Sequence, residues 1–247
     1  MEYCEGLVVR VMTYKESDVI MTVFTREHGL ISVLAKGAKK MKSRFRSSAS
    51  IFTHASFYVN YKPNSLSILT DLKLIDANSA LKVDLEKAAY ASYLCELTFK
   101  VFDKDDIQED YFQLLLDIIE KLNIDFNPKI MTMIYELKLL DYLGVRPNLD
   151  SCANCFTKQK IVSFDAKSGG YICANCFGPY MKRVSIKSIK VLRQLFYVDV
   201  KKVNSIKLNL NTINEIKFFI NDYYESNTGL YLKSKKFLRD IEKLKIT

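Results

Sequence analysis

The sequence has no tryptophan, only two histidines and only four prolines among its 247 residues, and it lacks the motifs of several enzyme classes. It contains no Gly-x-x-x-x-Gly-Lys loop and no Gly-x-Gly-x-x-Gly run, so neither a P-loop nor a dinucleotide site is expected. The histidines, His28 and His54, stand apart from any nucleophile or metal-ligand pattern and are predicted to be structural. Nothing in the chain indicates catalysis, and we expect a protein that is not an enzyme.

Long apolar runs are also missing. No stretch approaches the roughly eighteen apolar residues that a membrane-spanning helix requires, and the start of the chain, Met1-Glu2-Tyr3-Cys4-Glu5, is unlike a secretory signal because it is acidic. The sequence therefore predicts a cytoplasmic protein in a reducing compartment, with no membrane segment.

Cysteine is scarce, at six residues, but four of them form two Cys-x-x-Cys pairs separated by seventeen residues: Cys152 and Cys155, then Cys173 and Cys176. This spacing is typical of a zinc site, in which each pair supplies two sulfurs to one tetrahedral ion. The alternatives are four ordinary thiols, or disulfides, which a reducing compartment disfavours. A closed set of four thiolates leaves no position for water or substrate, so the predicted Zn²⁺ is structural.

Charge is unevenly distributed along the chain. Residues 1–80 carry 11 basic and 7 acidic side chains, residues 81–150 carry 8 and 14, and residues 151–247 carry 18 and 7. Two basic segments flanking an acidic one indicate separate surfaces with separate partners, of which nucleic acid is the first candidate and an acidic peptide the second.

The first part of the chain has the pattern of β-strands. Short β-branched runs at 6–12, 18–25, 30–35, 51–61 and 66–75 are separated by turn residues, with Gly29 ending one turn and Lys62-Pro63-Asn64-Ser65 forming another. Five short strands predict a small barrel such as an OB-fold over residues 1–78. A three-stranded sheet with a trailing hairpin fits the same pattern and stays open.

A basic segment lies between the third and fourth predicted strands. Residues 36–46 hold six basic side chains and no acidic one: Lys36, Lys39, Lys40, Lys42, Arg44 and Arg46. A solvated, mobile loop would explain the composition. A loop bordering the binding face of a barrel would instead hold DNA phosphates, with Phe45 as a stacking group, and we predict these six residues as the DNA-binding set.

Helical periodicity replaces the strand pattern from about residue 79. One apolar face predicts a helix over 81–102, a second helix is expected over about 110–122, and a third begins at Pro128 after an Asn127 cap and ends before Gly144. The cysteine module follows at about 150–180, with a hairpin turn at Gly169-Gly170. Helices return at 185–198, 212–224 and 234–244, so we expect a helical domain over 79–247 with the metal module inserted in it.

The order and spacing of these segments resemble the bacterial recombination mediators of the RecO family. The resemblance rests on 6–10, 14–18, 24–29, 35–40 and 42–45 in the first part, and on 135–140, 143–149, 169–170 and both cysteine pairs in the second. It covers most of the chain. One departure is Phe156, which follows the second cysteine where the family commonly has glycine. Glycine would suit a left-handed turn there, so the first knuckle, which is the turn around Cys152 and Cys155, is expected to be tighter or differently shaped.

The resemblance implies an N-terminal OB-fold and a C-terminal helical domain with a zinc-finger-like module. It implies a DNA repair and recombination function in which single- and double-stranded DNA are bound and complementary strands annealed without nucleotide hydrolysis. RecR and the acidic C-terminal tail of the single-stranded DNA-binding protein are the implied partners, with RecA loaded downstream.

Two other functions stay open from the residues alone. A zinc-ribbon adaptor for transcription or translation would bind protein partners through the same basic surfaces. A metal-dependent nuclease would use the acids at 103–110, although acids at the start of a helix are also explained by the helix dipole.

Overall fold

The computed structural model describes residues 2–244, which divide into two compact units. One unit comprises the chain up to Asp125 together with the segment from Leu232 onward. The other comprises Phe126–Tyr231. The predicted division into domains at residue 78 stays a prediction.

The first unit begins with five strands: β1 (Glu2–Tyr14), β2 (Asp18–Thr25), β3 (Gly29–Ala35), β4 (His54–Asn60) and β5 (Leu66–Asp76). They form a closed barrel in the order β1-β2-β3-β5-β4. Closure depends on β1, which pairs with β4 through its first half and with β2 through its second, and on a parallel pairing of β3 with β5. The predicted five-stranded OB-type barrel is confirmed, and the open sheet with a trailing hairpin is not.

The barrel is filled mainly by small and β-branched side chains, with a few larger ones among them. Val8, Met21, Val33 and Phe57 are fully buried in it, and Cys4 lies in the same cluster. The turn before β3 requires glycine, since Gly29 has φ +63° and a Cβ there would lie 2.0 Å from the carbonyl oxygen of Asp106. That contact places the segment after α2 directly against the barrel wall.

Three helices follow the barrel within the same unit: α1 (Ser79–Val83), α2 (Leu85–Val101) and α3 (Glu109–Asn123). The prediction of one helix over 81–102 is wrong at its start. Asp84 is extended (φ −100°, ψ 115°), and its carboxylate accepts a hydrogen bond from the backbone N–H of Lys87. It therefore caps a new helix within a continuous apolar pattern.

The helices pack on the barrel through aromatic and charged contacts. The ring of Phe24 on β2 stacks on Phe102 at 5.0 Å between centroids and meets the edge of Phe112 on α3 at 5.8 Å. Beside them, Arg26 binds the carboxylates of Glu5 and Glu109, each at 3.0 Å. These contacts explain why barrel and helices form one compact unit.

The C-terminal helix α7 (Ser234–Leu244) returns to this first unit and packs on α2. The Glu96 carboxylate accepts hydrogen bonds from the backbone N–H groups of Lys233 (2.9 Å) and Ser234 (2.7 Å). Burial opposes ionisation of Glu96, but these hydrogen bonds outweigh it and hold its pKa below the usual range. A side chain of α2 thus satisfies donors at the start of α7, where the helix dipole favours a negative charge.

The second unit begins with helix α4 (Pro128–Tyr142) and continues with three strands, β6 (Asn148–Cys152), β7 (Ile161–Asp165) and β8 (Gly170–Cys173). Helices α5 (Ile186–Tyr197) and α6 (Leu210–Asn227) follow, with a short 3-10 turn at Val200–Lys202 between them. The Asn127 side chain accepts from the N–H groups of Lys129 and Ile130, as its predicted cap role requires. The strands form a three-stranded sheet in the order β6-β8-β7, and Gly169-Gly170 closes the β7–β8 hairpin. Among the described residues, no helix is both long and apolar enough to cross a membrane.

Candidate metal centre and nucleic-acid interface

The four predicted ligand cysteines lie together at one end of the β-sheet of the second unit. The Sγ atoms of Cys152, Cys155, Cys173 and Cys176 are all within 4.8 Å of one another. Cys152 ends β6 and Cys173 ends β8, so the pairing of these two strands, which sets Cys152 opposite Tyr171, brings one cysteine of each pair close together. The sequence between the pairs runs out and back as the β7–β8 hairpin. This group of thiols can hold a metal ion.

Backbone N–H groups already stabilise negative charge at the centre. The N–H of Cys173 donates to the Sγ of Cys152 at 3.4 Å. Burial raises the pKa of Cys152, but hydrogen bonds from the N–H groups of Cys173, Cys155 and Asn154 outweigh it and lower that pKa to about 6. The hydrogen bond with Cys155, with burial added, raises the pKa of Cys176 to about 12. The Cys152 thiol is therefore the one that loses its proton most readily, and a bound cation would favour deprotonation of the others.

The turn after the first cysteine pair has the shape that glycine would favour, although Phe156 occupies it. Phe156 has φ 61°, and its side chain is 72% exposed. Its N–H donates to the carbonyl oxygen of Cys152 at 2.9 Å, which closes the knuckle. The knuckle therefore keeps a left-handed turn, and the strain is borne by a residue with a Cβ.

Phe156→Gly is expected to tighten binding of Zn²⁺, the predicted ion, by about two- to fivefold. Relief of the left-handed strain is worth about 1–2 kcal/mol, and the larger entropy loss of glycine offsets about half of it. Competition with a chromophoric chelator measures the change. Phe156→Ala is the matched control, because it removes the exposed ring but keeps the Cβ. Equal affinities for the Gly and Ala variants would contradict the role assigned to the backbone.

The six basic residues predicted to bind DNA lie in the long connection between β3 and β4 of the barrel, and all of them are exposed. The connection is held by the turn between β1 and β2. Asp18 accepts a hydrogen bond from the N–H of Gly37 at 2.7 Å, and the carbonyl oxygen of Ser17 accepts from the N–H of Lys39 at 2.9 Å. Ala38 is buried in the barrel core. The charge pattern alone does not reveal these supports.

Two of the six basic side chains are engaged within the first unit. Lys39 Nζ donates to the Thr13 hydroxyl at 2.7 Å, and Arg44 pairs with Asp71 at 3.3 Å and donates to the Thr70 carbonyl oxygen. The other four side chains have no hydrogen-bond or ion-pair partner in the part of the chain that the structure describes; they are Lys36, Lys40, Lys42 and Arg46. The connection therefore carries four cations available to an external anion.

Phe45, predicted as a stacking group, is placed otherwise. Its ring is half-buried and packs against the barrel core, and the Arg44 guanidinium lies over it at 4.7 Å from the centroid. It therefore anchors the connection to the barrel, and its stacking on a base stays a prediction.

The acidic segment at 103–110 does not assemble a metal site. Asp105 accepts a hydrogen bond from the Tyr61 hydroxyl at 2.8 Å, and Glu109 pairs with Arg26. Within residues 2–244, the four cysteines are the only group of three or more His, Cys, Asp or Glu side chains positioned to hold a metal ion. The two histidines lie against carboxylates, His28 with Glu2 at 3.3 Å and His54 with Glu5 at 2.9 Å.

A closed five-stranded barrel with a cationic connection, followed by helices and a four-cysteine group, defines a multidomain protein of the OB-fold class. Residues 1–78 match the family described as Recombination protein O N terminal, and residues 82–236 match Recombination protein O C terminal. The chain belongs to the RecO family of DNA repair proteins.

Relatives support this assignment over nearly the whole length. The DNA repair protein RecO of Listeria welshimeri is 36% identical over 245 residues, which cover 98% of this chain and 96% of that protein. The DNA repair protein RecO of Bacillus velezensis is 36% identical over 244 residues, covering 98% and 95%. That of Halalkalibacterium halodurans is 34% identical over 242 residues, covering 97% and 95%. The family's role is DNA repair and recombination.

Proposed function

We propose that this protein is a recombination mediator that binds single- and double-stranded DNA and anneals complementary strands without hydrolysing a nucleotide. With RecR it helps load RecA on DNA coated by single-stranded DNA-binding protein, in the bacterial cytoplasm, and it is not an enzyme. The observation that carries the proposal is the connection at 36–46, an acid-free segment on an OB-type barrel with four unpartnered cations.

DNA contact at this connection is electrostatic. Lys36, Lys40, Lys42 and Arg46 meet phosphates directly, and Lys39 and Arg44 contribute by exchanging their internal partners for phosphate oxygens. Contacts of this kind position a nucleic acid without reading its sequence. If all six side chains engage single-stranded DNA, the slope of log K against log salt concentration is no steeper than about −4.

The four-cysteine centre holds one structural Zn²⁺. Tetrahedral thiolate ligation by Cys152, Cys155, Cys173 and Cys176 suits zinc and leaves no open coordination position. The ion holds the ends of β6 and β8 together and thereby stabilises the second unit. The ion contributes to DNA repair by stabilising the fold of this unit.

The two halves of the sequence take different roles. The barrel over residues 1–78 is the DNA-binding domain, and residues 79–247, of which 245–247 lie outside the described residues, form the helical domain with the zinc module at about 150–180. Residues 151–247 carry 18 basic and 7 acidic side chains, a balance that favours binding of the acidic C-terminal tail of the single-stranded DNA-binding protein. RecR is the second protein partner.

Annealing of two complementary end-labelled oligonucleotides tests the proposal, with the strands bare in one series and coated with the cognate single-stranded DNA-binding protein in the other. We expect this protein to accelerate duplex formation in both series with no nucleotide present. Binding to the coat protein without any acceleration would contradict the mediator function and favour the adaptor function. Cleavage of the strands in Mg²⁺ would contradict it in favour of a nuclease.

A further inference from the structure

A second cationic segment lies in the Phe126–Tyr231 unit, within residues 151–247, whose charge balance was related above only to an acidic peptide. Between Asp165 and Asp199 the chain has no acidic residue but six basic ones: Lys167, Lys182, Arg183, Lys187, Lys190 and Arg193. Arg193 pairs with Asp150 at 2.8 Å. The other five are exposed and have no carboxylate partner in the part of the unit that the structure describes. Their charge is therefore available to an external polyanion.

Exposed aromatic rings lie among these cations. Tyr180 is fully exposed and Phe218 on α6 is 64% exposed. The ammonium of Lys182 lies 5.5 Å from the centroid of the Phe218 ring, and the guanidinium of Arg183 lies 4.8 Å from that of Phe177. Phe177 is half-buried, so the exposed rings are those of Tyr180 and Phe218. Exposed rings beside cations are the combination with which proteins hold single strands, since bases stack on the rings and phosphates meet the cations.

Tyr180, Phe218 and both cations line one groove of about 810 Å³. Two of its lining side chains, Phe164 on β7 and Phe219 on α6, pack together at 4.9 Å between ring centroids. The cationic edge is fixed by the backbone. The Ser163 hydroxyl donates to the carbonyl oxygen of Lys182, and the N–H of Val184 donates to the carbonyl oxygen of Val162. The groove is therefore preformed.

Three carboxylates also line the groove, and they set the path of a bound strand. Asp165 accepts from the N–H of Ser168 at 2.7 Å, and Glu215 accepts from the N–H and hydroxyl of Ser185, each at 3.1 Å. These two are engaged in a turn and a helix cap. Asp222, one helical turn after Phe218 on α6, also lines the groove, so phosphates favour Lys182 and Arg183 over the part of the groove beside Asp222.

We propose that this groove is a second single-stranded DNA site, with Phe218 and Tyr180 as stacking platforms and Lys182 and Arg183 as phosphate contacts. The inference rests on the proposed annealing function and adds a surface to it. Annealing requires two strands on one protein, and a site separate from the 36–46 connection provides a place for the second strand. The rings favour a nucleic acid over an acidic peptide, because every base presents a face that can stack.

Crosslinking to an oligothymidylate that carries 5-iododeoxyuridine tests the site directly, with the crosslinked peptides identified by mass spectrometry. We expect photocrosslinks at Tyr180 or Phe218 in the full chain. The crosslinks should persist in the variant Lys39→Glu, Lys40→Glu, Lys42→Glu, because none of these residues lines the groove. Crosslinks confined to residues of the barrel would overturn the proposal.

Affinity measurements separate the contributions of rings and charges. Phe218→Ala is measured in the protein that already carries Lys39→Glu, Lys40→Glu and Lys42→Glu. It is expected to weaken binding of a labelled dT20 strand about fivefold or more, because one base loses its stacking partner. Lys182→Glu with Arg183→Glu in the same background should reduce the salt slope by roughly 1.4. Tyr231→Ala and Lys201→Glu with Lys207→Glu are matched controls, since these residues are exposed and lie outside the groove.

The outcomes distinguish this inference from the proposed function. If the unaltered protein anneals strands and the groove variants match their controls in affinity, slope and annealing rate, the second site is wrong and the mediator function stands. If the unaltered protein binds no single strand and anneals nothing, the mediator function itself is wrong. Groove variants that lose binding of an acidic peptide while keeping their affinity for dT20 would also overturn the second site.

Discussion

Cys155→Ser is expected to abolish binding of the proposed zinc ion and to lower the melting temperature of the Phe126–Tyr231 unit by about 10 °C or more. Structural zinc contributes roughly 10–16 kcal/mol of apparent binding free energy in zinc-finger peptides, and serine does not ionise to replace a thiolate. Cys155 is the informative choice because it is exposed, so its replacement leaves the core packing intact. Zinc per chain by atomic emission and thermal melting by circular dichroism measure the two effects.

Cys95→Ala is the control for this experiment. Cys95 is a buried thiol of the other compact unit, outside the four-cysteine group, and its replacement should leave about one zinc per chain, the occupancy of a single site. A Cys155→Ser protein that melts at the unaltered temperature would show that the fold of the sheet does not depend on the ion. Removal of zinc by a strong chelator should reproduce the effect of the substitution without any change in sequence.

The second large effect is expected from charge reversal in the β3–β4 connection. The triple variant Lys39→Glu, Lys40→Glu, Lys42→Glu should lose at least about tenfold in affinity for single-stranded DNA at low salt, equivalent to 1.4 kcal/mol. The salt slope should fall by roughly 2, because three phosphate contacts disappear. Titration of a labelled oligonucleotide at several salt concentrations, followed by fluorescence anisotropy, measures both quantities.

A control variant with the same change in net charge separates the effect of the connection from that of overall charge. Lys201, Lys202 and Lys207 are three exposed lysines outside the connection, and their replacement by glutamate changes the net charge by the same amount. If the control triple weakens DNA binding as much as the loop triple, the effect comes from overall charge. In that event the connection loses its assigned role. The loop variant should also anneal strands more slowly than the control.

Much of the barrel could be predicted from the sequence because each strand shows its own local signal. The first strand was predicted over 6–12 and spans Glu2–Tyr14, and the other four differ by at most a few residues. The break at Asp84 was missed, since apolar periodicity continues across it and only the extended backbone reveals a cap. Period alone does not distinguish one helix from two short helices that share a buried face.

The candidate metal centre was predictable because its geometry is local to two short motifs and one hairpin. The spacing of the cysteines requires their sulfurs to converge, and they lie within 4.8 Å of one another. The role of Phe45 was not predictable. An aromatic ring within a basic segment can stack on a nucleic-acid base or pack against a hydrophobic core, and here the Phe45 ring packs against the barrel core. The distinction depends on packing between segments that are distant in sequence.

The cation–aromatic groove of the second unit was not predicted, although part of its signal is in the sequence. The absence of acidic residues from 166 to 198 was hidden within the net charge of a longer segment. The aromatic partner Phe218 lies on α6, well outside that stretch. Only the packing of α6 on β7 brings ring and cations together.

The attachment of α7 to α2 has a consequence for how the protein is made. The segment from Leu232 onward belongs to the unit that contains the barrel, while all of Phe126–Tyr231 intervenes in the sequence. During synthesis, therefore, the intervening unit has its whole sequence before the N-terminal unit does. Until residues 233 and 234 leave the ribosome, Glu96 lacks the N–H donors that it binds in the finished fold. The nascent barrel and its helices thus emerge first and are completed last, and the apolar face of α2 that α7 covers is available to chaperones in the interval.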